Sequence, residues 1–202
     1  MKRAPLTHEA VFDNSAYAEA YASHHQKMAF GFGNKLTERL QSRGFRKGRI
    51  LDAGCGFGGT NLVLARNFAD SEVIGMDLSA PLLQMARQAA ENAGLEERLR
   101  FEKGDVQNMQ FEDRSFDVVI NINMLHLVDD PVRMLGEIER VLARDGYFFI
   151  SDLRRSWLGI IEKEIQSGMS AVEAQRLIER SKLREGKFST GLLWWQYEAA
   201  RG

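Results

Sequence analysis

One cysteine, Cys55, stands among 202 residues. That excludes an intramolecular disulfide and any cysteine-rich metal centre. His24-His25 has no cysteine or acidic cluster beside it to complete a metal site. Only three prolines occur, with no repeat or low-complexity tract, so nothing marks an interdomain linker and one domain over 1–202 is expected. No apolar stretch reaches the roughly 20 residues that a membrane-spanning helix needs. Neither charge dominates: 27 basic and 28 acidic residues leave a formal net charge of −1, which offers no electrostatic footprint for nucleic acid or anionic lipid. The opening Met1-Lys2-Arg3-Ala4-Pro5 leads into polar and small residues rather than an apolar signal core, so a cytoplasmic protein is expected.

What is present is an ordinary globular composition, 44% hydrophobic and 27% charged, arranged as alternating strand and helix signals. Short runs at 49–53, 73–77, 116–121 and 147–151, and 99–103 with its alternating faces, read as strands. Between them, Leu82, Ala86, Ala89 and Ala93 share one helical face, with Pro81 in the first turn and Gly94 as the stop. Val132, Leu135, Ile138 and Leu142 share another, opened by Asp130-Pro131 and followed by Gly146. Repeated strand–helix units predict an α/β domain with a mainly parallel sheet. Ligands of such sheets bind at the carboxyl ends of the strands.

The first strand runs into Asp52-Ala53-Gly54-Cys55-Gly56-Phe57-Gly58-Gly59-Thr60, four glycines in six positions. Such a turn lets the backbone approach a ligand closely, and the next helix points its free N–H groups at it. A bare strand-to-helix turn is the plainer alternative. Gly54-x-Gly56-x-x-Gly59 also satisfies the dinucleotide fingerprint, and Asp77 ends the second strand where a ribose-binding acid belongs. A nicotinamide-binding protein therefore competes. Two acids tilt the balance. Asp52, two residues before the first glycine, can face the ammonium of an amino acid. Asp105, after the third strand, can accept from an exocyclic amine such as that of adenine. A nucleoside joined to an amino acid meets both.

Residues 49–152 resemble the class I S-adenosylmethionine-dependent methyltransferases, in the small-molecule subgroup that includes ubiquinone- and menaquinone-type methylases. The likeness is carried by five motifs in order: Leu51 to Gly58, Ile74 to Ser79, Gly104-Asp105-Val106, Phe116 to His126 with Asp130-Pro131, and Leu135 to Phe148. It implies a single doubly wound Rossmann-like domain, with residues 1–48 as a helical lid region, 49–152 as the donor-binding core, and 153–202 as helices and a short antiparallel strand pair. It implies S-adenosylmethionine as donor and S-adenosylhomocysteine as product. Gly54, Gly56 and Gly58 would border the methionine part. Asp77 would bind the ribose hydroxyls with Leu78 beside it in the donor site, Asp105 and Val106 would take the adenine, and Asn121 would lie beside the donor. In related enzymes an N-terminal helix supplies a tyrosine, here Tyr21 and less directly Tyr17. Nucleic-acid amino-methylases of this fold carry Pro-Pro-aromatic after an Asn or Asp at the fourth strand; Asn121-Ile122-Asn123-Met124 departs from that. Arsenite-type methylases need several cysteines.

The flanks are plainer. Tyr17, Tyr21, His24 and Met28 lie on one helical face, for which simple packing is the favoured account on the pattern alone. Trp157, Ile160, Ile161, Glu164 and Ile165 suggest a helix. Ser170 to Glu173 forms a capping box opening another helix to about Ser181. Lys187–Thr190 and Leu192–Tyr197 read as two strands across Gly191, their aromatics packing the sheet. A sulfonium methyl is already activated, so in-line displacement needs mainly alignment; a base helps where the acceptor is a hydroxyl or acidic carbon. His126, after the fourth strand, is the first candidate base, with a structural backbone hydrogen bond as its equal rival; Asp152, after the fifth, is the second. A small-molecule acceptor is expected, and a non-catalytic donor-binding module is the alternative.

Overall fold

In the computed structural model, residues 13–156, 163–181 and 183–199 are described. The expected helix residues Trp157, Ile160 and Ile161 lie outside them. The chain divides into two compact units, residues 9–105 and 106–202.

In the first unit, helix α1 (Ser15–Ser42) begins at Asn14, whose side chain accepts from the Tyr17 N–H. It buries Ala18 and Ala22 near its start, and Gly33, Leu36, Thr37 and Leu40 farther on. Strand β1 (Arg49–Ala53) leads through the glycine loop into helix α2 (Gly59–Asn67), then strand β2 (Glu72–Asp77), helix α3 (Ala80–Asn92) and strand β3 (Leu99–Lys103). The strands are parallel in the order β3-β2-β1, with Asp52 beside Gly75 and Gly75 beside Phe101. Helices α1 and α2 touch through small residues. A Cβ on Gly33 would lie 2.6 Å from that of Val63, one on Gly59 would lie 2.8 Å from that of Ala29, and the Thr60 hydroxyl donates to the Ala29 carbonyl at 3.2 Å. The second half of α1 is therefore core. Ser79 caps α3 by accepting from the Leu82 N–H, Pro81 sits in its first turn, and Gly94 closes it at φ 63°, as the sequence pattern predicts.

The second unit runs strand β4 (Phe116–Ile122), a 3₁₀ turn (Leu125–Leu127), helix α4 (Pro131–Val141), strand β5 (Leu142–Leu153), helix α5 (Lys163–Ser167), helix α6 (Ala171–Arg180), and strands β6 (Gly186–Thr190) and β7 (Trp194–Ala199). Its strand order is β4-β5-β7-β6: β4 and β5 are parallel, and β7 lies antiparallel between β5 and β6. The expected parallel sheet with an antiparallel C-terminal pair is thus the observed arrangement. Asp130 caps α4, and the Ser170–Glu173 capping box forms at α6.

Three expectations shift. Val132 is 38% exposed, while Met134, Leu135, Ile138 and Val141 are fully buried; at about 100° per residue Val132 falls on the far side of that stripe. Leu142 is not helical but opens β5, paired with Phe116, so β5 is far longer than 147–151 and contains Gly146. Leu192 and Leu193 form the turn rather than the strand, with the Gly191 N–H donating to the Trp194 carbonyl at 2.7 Å, and Leu192 is exposed. Trp195 and Tyr197 are buried in the sheet face, Trp195 stacked on Phe188 at 5.8 Å: packing residues, as expected.

Candidate active site

The glycine loop is held by the end of β2. Gly54 and Cys55 both donate to the Met76 carbonyl, at 2.8 and 3.0 Å. Gly54, Gly56 and Gly58 have φ of 87°, 53° and 74°, a region costly for residues with a Cβ. At Gly58 a Cβ would also meet the Phe101 ring at 2.7 Å and Ala86 at 3.0 Å. The loop's shape and the packing beneath it both demand glycine there.

Asp77 stands at the centre of this arrangement. Its Oδ2 accepts from the Gly56 N–H at 2.8 Å and its Oδ1 from the Ser79 N–H at 2.9 Å, while its carbonyl accepts from Gly104 at the end of β3. The cap of α3 is Ser79. The loop-tying role of Asp77 has no signature in the sequence beyond its place at the strand end.

Asp52 is 2% exposed, and its Oδ1 has no hydrogen-bond partner. Burial, and then the negative charge of Asp77, push its pKa from 3.8 to about 8. An unpartnered buried carboxyl oxygen at the mouth of a glycine loop fits a cationic group. Cys55, between them, packs its sulfur where a Cβ on Gly75 would fall. Burial and then the two acids hold its thiol well above the usual range, so it is an inert filler.

Around the loop, the Tyr21 ring meets Phe57 edge-on at 6.4 Å and His25 at 4.2 Å. Tyr17 is 43% exposed. Leu78, directly after Asp77, is 40% exposed, an apolar platform at the strand end. Asp105 follows β3, half-buried. Asn61, on the first turn of α2, is wholly buried with neither amide atom paired; nothing in the sequence singled it out.

In the second unit Val106 is buried, Asn121 lies fully buried near the end of β4, and Asn123 beyond it adopts φ 55°. The two candidate bases are brought together. His126 Nδ1 lies 2.6 Å from Asp152 Oδ1, and the His126 backbone N–H donates to Asp152 Oδ2 at 2.8 Å. The His126 ring is thus held by a carboxylate. Among the described residues no cluster of three His, Cys, Asp or Glu side chains could hold a metal ion, and no helix is long and apolar enough to cross a membrane.

Residues 45–197 match the family model described as a methyltransferase domain. The chain belongs to that family. Its glycine loop, strand-end acids and parallel strands are the parts that define the class. The chain is 39% identical over 106 residues to the fatty-acid O-methyltransferase of Mycolicibacterium smegmatis, covering 52% of this chain and 37% of that protein. It is 35% identical over 106 residues to the phthiotriol/phenolphthiotriol dimycocerosates methyltransferase of Mycobacterium tuberculosis, covering 52% and 38%. It thus spans less than two fifths of the length of these relatives. The crystal structure of an S-adenosylmethionine-dependent methyltransferase from Aquifex aeolicus superposes with a TM-score of 0.75 at 18% identity, covering 92% of this chain and 97% of that one. The fold is the doubly wound Rossmann-like one.

Proposed function

We propose that this chain transfers the methyl group of S-adenosylmethionine to a small, lipid-like acceptor. Family membership supports the reading, as do the relatives that act on fatty acids and on phthiotriol/phenolphthiotriol dimycocerosates. The observation that carries it is Asp52, a buried acid with an unpartnered oxygen beside a glycine loop. A dinucleotide brings no ammonium to such a group; an amino-acid moiety does. When bound, the donor supplies a methyl group on a positive sulfur.

The chain's own residues then bind, orient and move a proton. Gly54, Gly56 and Gly58 shape the loop against the methionine part, and Asp52 takes its ammonium. Asp77 takes the ribose hydroxyls, while Leu78, Asp105 and Val106 take the adenine. Tyr21 and Asn121 complete the donor's surroundings. His126 serves as base toward the acceptor. No metal is assigned a role, nucleic acid is not the acceptor, and the protein works in the cytoplasm.

Calorimetry with S-adenosylmethionine, S-adenosylhomocysteine and NAD tests donor choice. Tighter binding of NAD would sink the reading. Transfer of labelled methyl from the donor into a metabolite extract, followed by mass identification of the product, tests activity. Donor binding with no transfer to any component would make the chain a binding module instead.

A further inference from the structure

The turn between β6 and β7 carries two leucines into solvent. Leu192 is 68% exposed and Leu193 37%, while Val172, in the first turn of α6, is 58% exposed. Among the described residues, Leu192 and Val172 are the two most exposed large apolar side chains. A hairpin turn ordinarily draws glycine, asparagine, aspartate or serine, so turn geometry gives no reason for the leucines. Backbone hydrogen bonds hold them at one edge. The Arg154 N–H donates to the Leu193 carbonyl at 2.7 Å, its guanidinium to the Gly191 carbonyl at 2.5 Å, and the Gly191 N–H to the Trp194 carbonyl at 2.7 Å. Arg154 also bridges to Met169, three residues before Val172, and the Arg155 N–H donates to the Met169 carbonyl at 2.9 Å. Arg154 directly follows Leu153, the last residue of β5. The leucine turn therefore lies at the carboxyl edge of the parallel strands β4 and β5, the edge where ligands of α/β sheets bind.

Two cations accompany the apolar side chains. Arg154 bonds a backbone carbonyl, and Arg176, exposed, lies one helical turn after Val172 on the same side of α6. Among the described residues neither guanidinium is paired with an acid. Glu173, beside Val172, is held by Arg155 at 2.6 Å, and Glu179, a further turn along the helix, accepts from Gln175. The edge thus presents aliphatic side chains flanked by uncompensated positive charge.

We propose that this edge, formed by Leu192, Leu193 and Val172 with Arg154 and Arg176, docks the protein on the surface of a lipid bilayer with anionic headgroups. The proposal rests on the reading of the acceptor as lipid-like, since a membrane is where such an acceptor resides. The three aliphatic side chains enter the headgroup region, and the two guanidinium groups meet lipid phosphates. A net charge of −1 gives the whole chain no long-range pull toward such a surface, so the attachment is local and reversible. A turn tip is convex and small. A rigid protein partner needs about 800 Å² of matching surface on each side, whereas a fluid headgroup layer accommodates single side chains. Docked in this way, the carboxyl edge of β4 and β5 faces the membrane that holds the acceptor.

The test sediments the full chain with vesicles of phosphatidylcholine and phosphatidylglycerol in equal parts, and with vesicles of phosphatidylcholine alone. Matched thermal melts show that each variant is folded. The wild type should bind the mixed vesicles, and bind the neutral ones at least about fivefold more weakly. Leu192→Asp combined with Leu193→Asp should weaken binding to the mixed vesicles at least about tenfold. Arg176→Gln should weaken it about fivefold there and leave neutral vesicles unaffected. Val132→Asp, at an apolar side chain 38% exposed on α4, should bind as the wild type does. No sedimentation with either vesicle overturns the proposal, as does equal binding to both. Undiminished binding of the double leucine variant, or an equal loss in Val132→Asp, also overturns it. A wild type that is a dimer in light scattering and a monomer in the leucine variant gives the edge to a second copy and overturns the proposal too. Calorimetry with S-adenosylmethionine accompanies these runs, and the leucine variant should keep the wild-type Kd. Vesicle binding by a wild type that binds no donor fails the methyl-transfer reading instead and leaves the docking edge in place.

Discussion

Gly56 donates its backbone N–H to Asp77 Oδ2 at 2.8 Å, so the carboxylate assigned to the ribose also holds the shape of the glycine loop. The two roles predict different outcomes for two substitutions. Asp77→Ala removes acceptors for the Gly56 and Ser79 N–H groups as well as for ribose, and should cost both stability and donor affinity. Asp77→Asn keeps one acceptor oxygen. It sets an NH₂ against one of the two backbone N–H groups, so it should melt below the wild type while remaining folded, and it should bind donor at least about tenfold more weakly, since one charge-assisted hydrogen bond is worth roughly 1.5–3 kcal/mol and tenfold is about 1.4. Calorimetry on folded Asp77→Asn checks this; undiminished affinity would remove Asp77 from the donor site.

Asp52 makes stability and donor binding depend on pH in opposite senses. Burial first, and Asp77 second, raise its folded pKa from 3.8 to about 8. Cys55, whose sulfur is held neutral by the same surroundings, and Arg87, whose guanidinium also acts on Cys55, are titratable groups near this loop. Between pH 4 and 8 the folded chain holds a proton that the unfolded chain has lost. The stabilisation is complete below pH 4 and falls away as pH rises through about 8. Asp52→Asn, which cannot ionise, should therefore gain on the wild type as pH rises. Between pH 4 and 9 the gain should be on the order of 5 kcal/mol, since each pH unit between 3.8 and about 8 contributes about 1.36 kcal/mol, which is more than about 10 °C in Tm. An ammonium ligand prefers the ionised form, so wild-type donor affinity should rise from pH 6 to 8 with proton release, seen in buffers of differing ionisation enthalpy. The Asn variant should bind weakly at every pH. A flat wild-type affinity over that range would separate Asp52 from the ammonium.

Gly58 tests the loop by sterics alone. Its φ of 74° and a Cβ position 2.7 Å from the Phe101 ring and 3.0 Å from Ala86 leave no room for a side chain. Gly58→Ala should destabilise by about 2–4 kcal/mol, combining backbone strain with overpacking. Urea melts give the number. Gly44→Ala has a similar φ of 84° but nothing within 4 Å, and should cost only the backbone part.

How far the sequence carries is clear from particular residues. The strands β1, β2 and β4 are legible as short apolar runs, and β3 by its alternation of apolar and polar residues. The N-cap at Ser170 and the Asp130-Pro131 start are legible because capping is local chemistry. The start of β5 is not: Leu142-Ala143-Arg144-Asp145 continues a helical pattern, and only pairing with Phe116 on another strand makes it extended. The site divides the same way. Glycines and acids announce themselves one at a time, as do His126 and Asp152. That the latter two touch depends on a 3₁₀ turn after β4 and on which strand lies next to β4. The unpaired amide of Asn61 depends on burial that no local pattern encodes.

The N-terminal helix poses the last question, since it reads as a lid and yet is one uninterrupted helix from Ser15 to Ser42. The helix packs closely on α2 at Ala29 and at Gly33, where the two helices come within Cβ contact. Before that point the helix buries Ala18 and Ala22, small side chains whose loss exposes little apolar surface. Tyr21, against Phe57 of the glycine loop, sits in this earlier part. A lid hinged near Met28 would thus carry Tyr21 over the donor while the rest of α1 stays in the core. Removing residues 1–28 should abolish methyl transfer and leave cooperative unfolding in place. Removing residues 1–40 should abolish folding, because Leu36 and Leu40 leave with it. Hydrogen exchange supplies the direct measurement: amides of residues 15–28 should exchange faster than those of 33–40 without donor and slow when donor binds. Equal protection of both halves in the absence of donor, unchanged by its addition, would make the whole helix a fixed wall of the core.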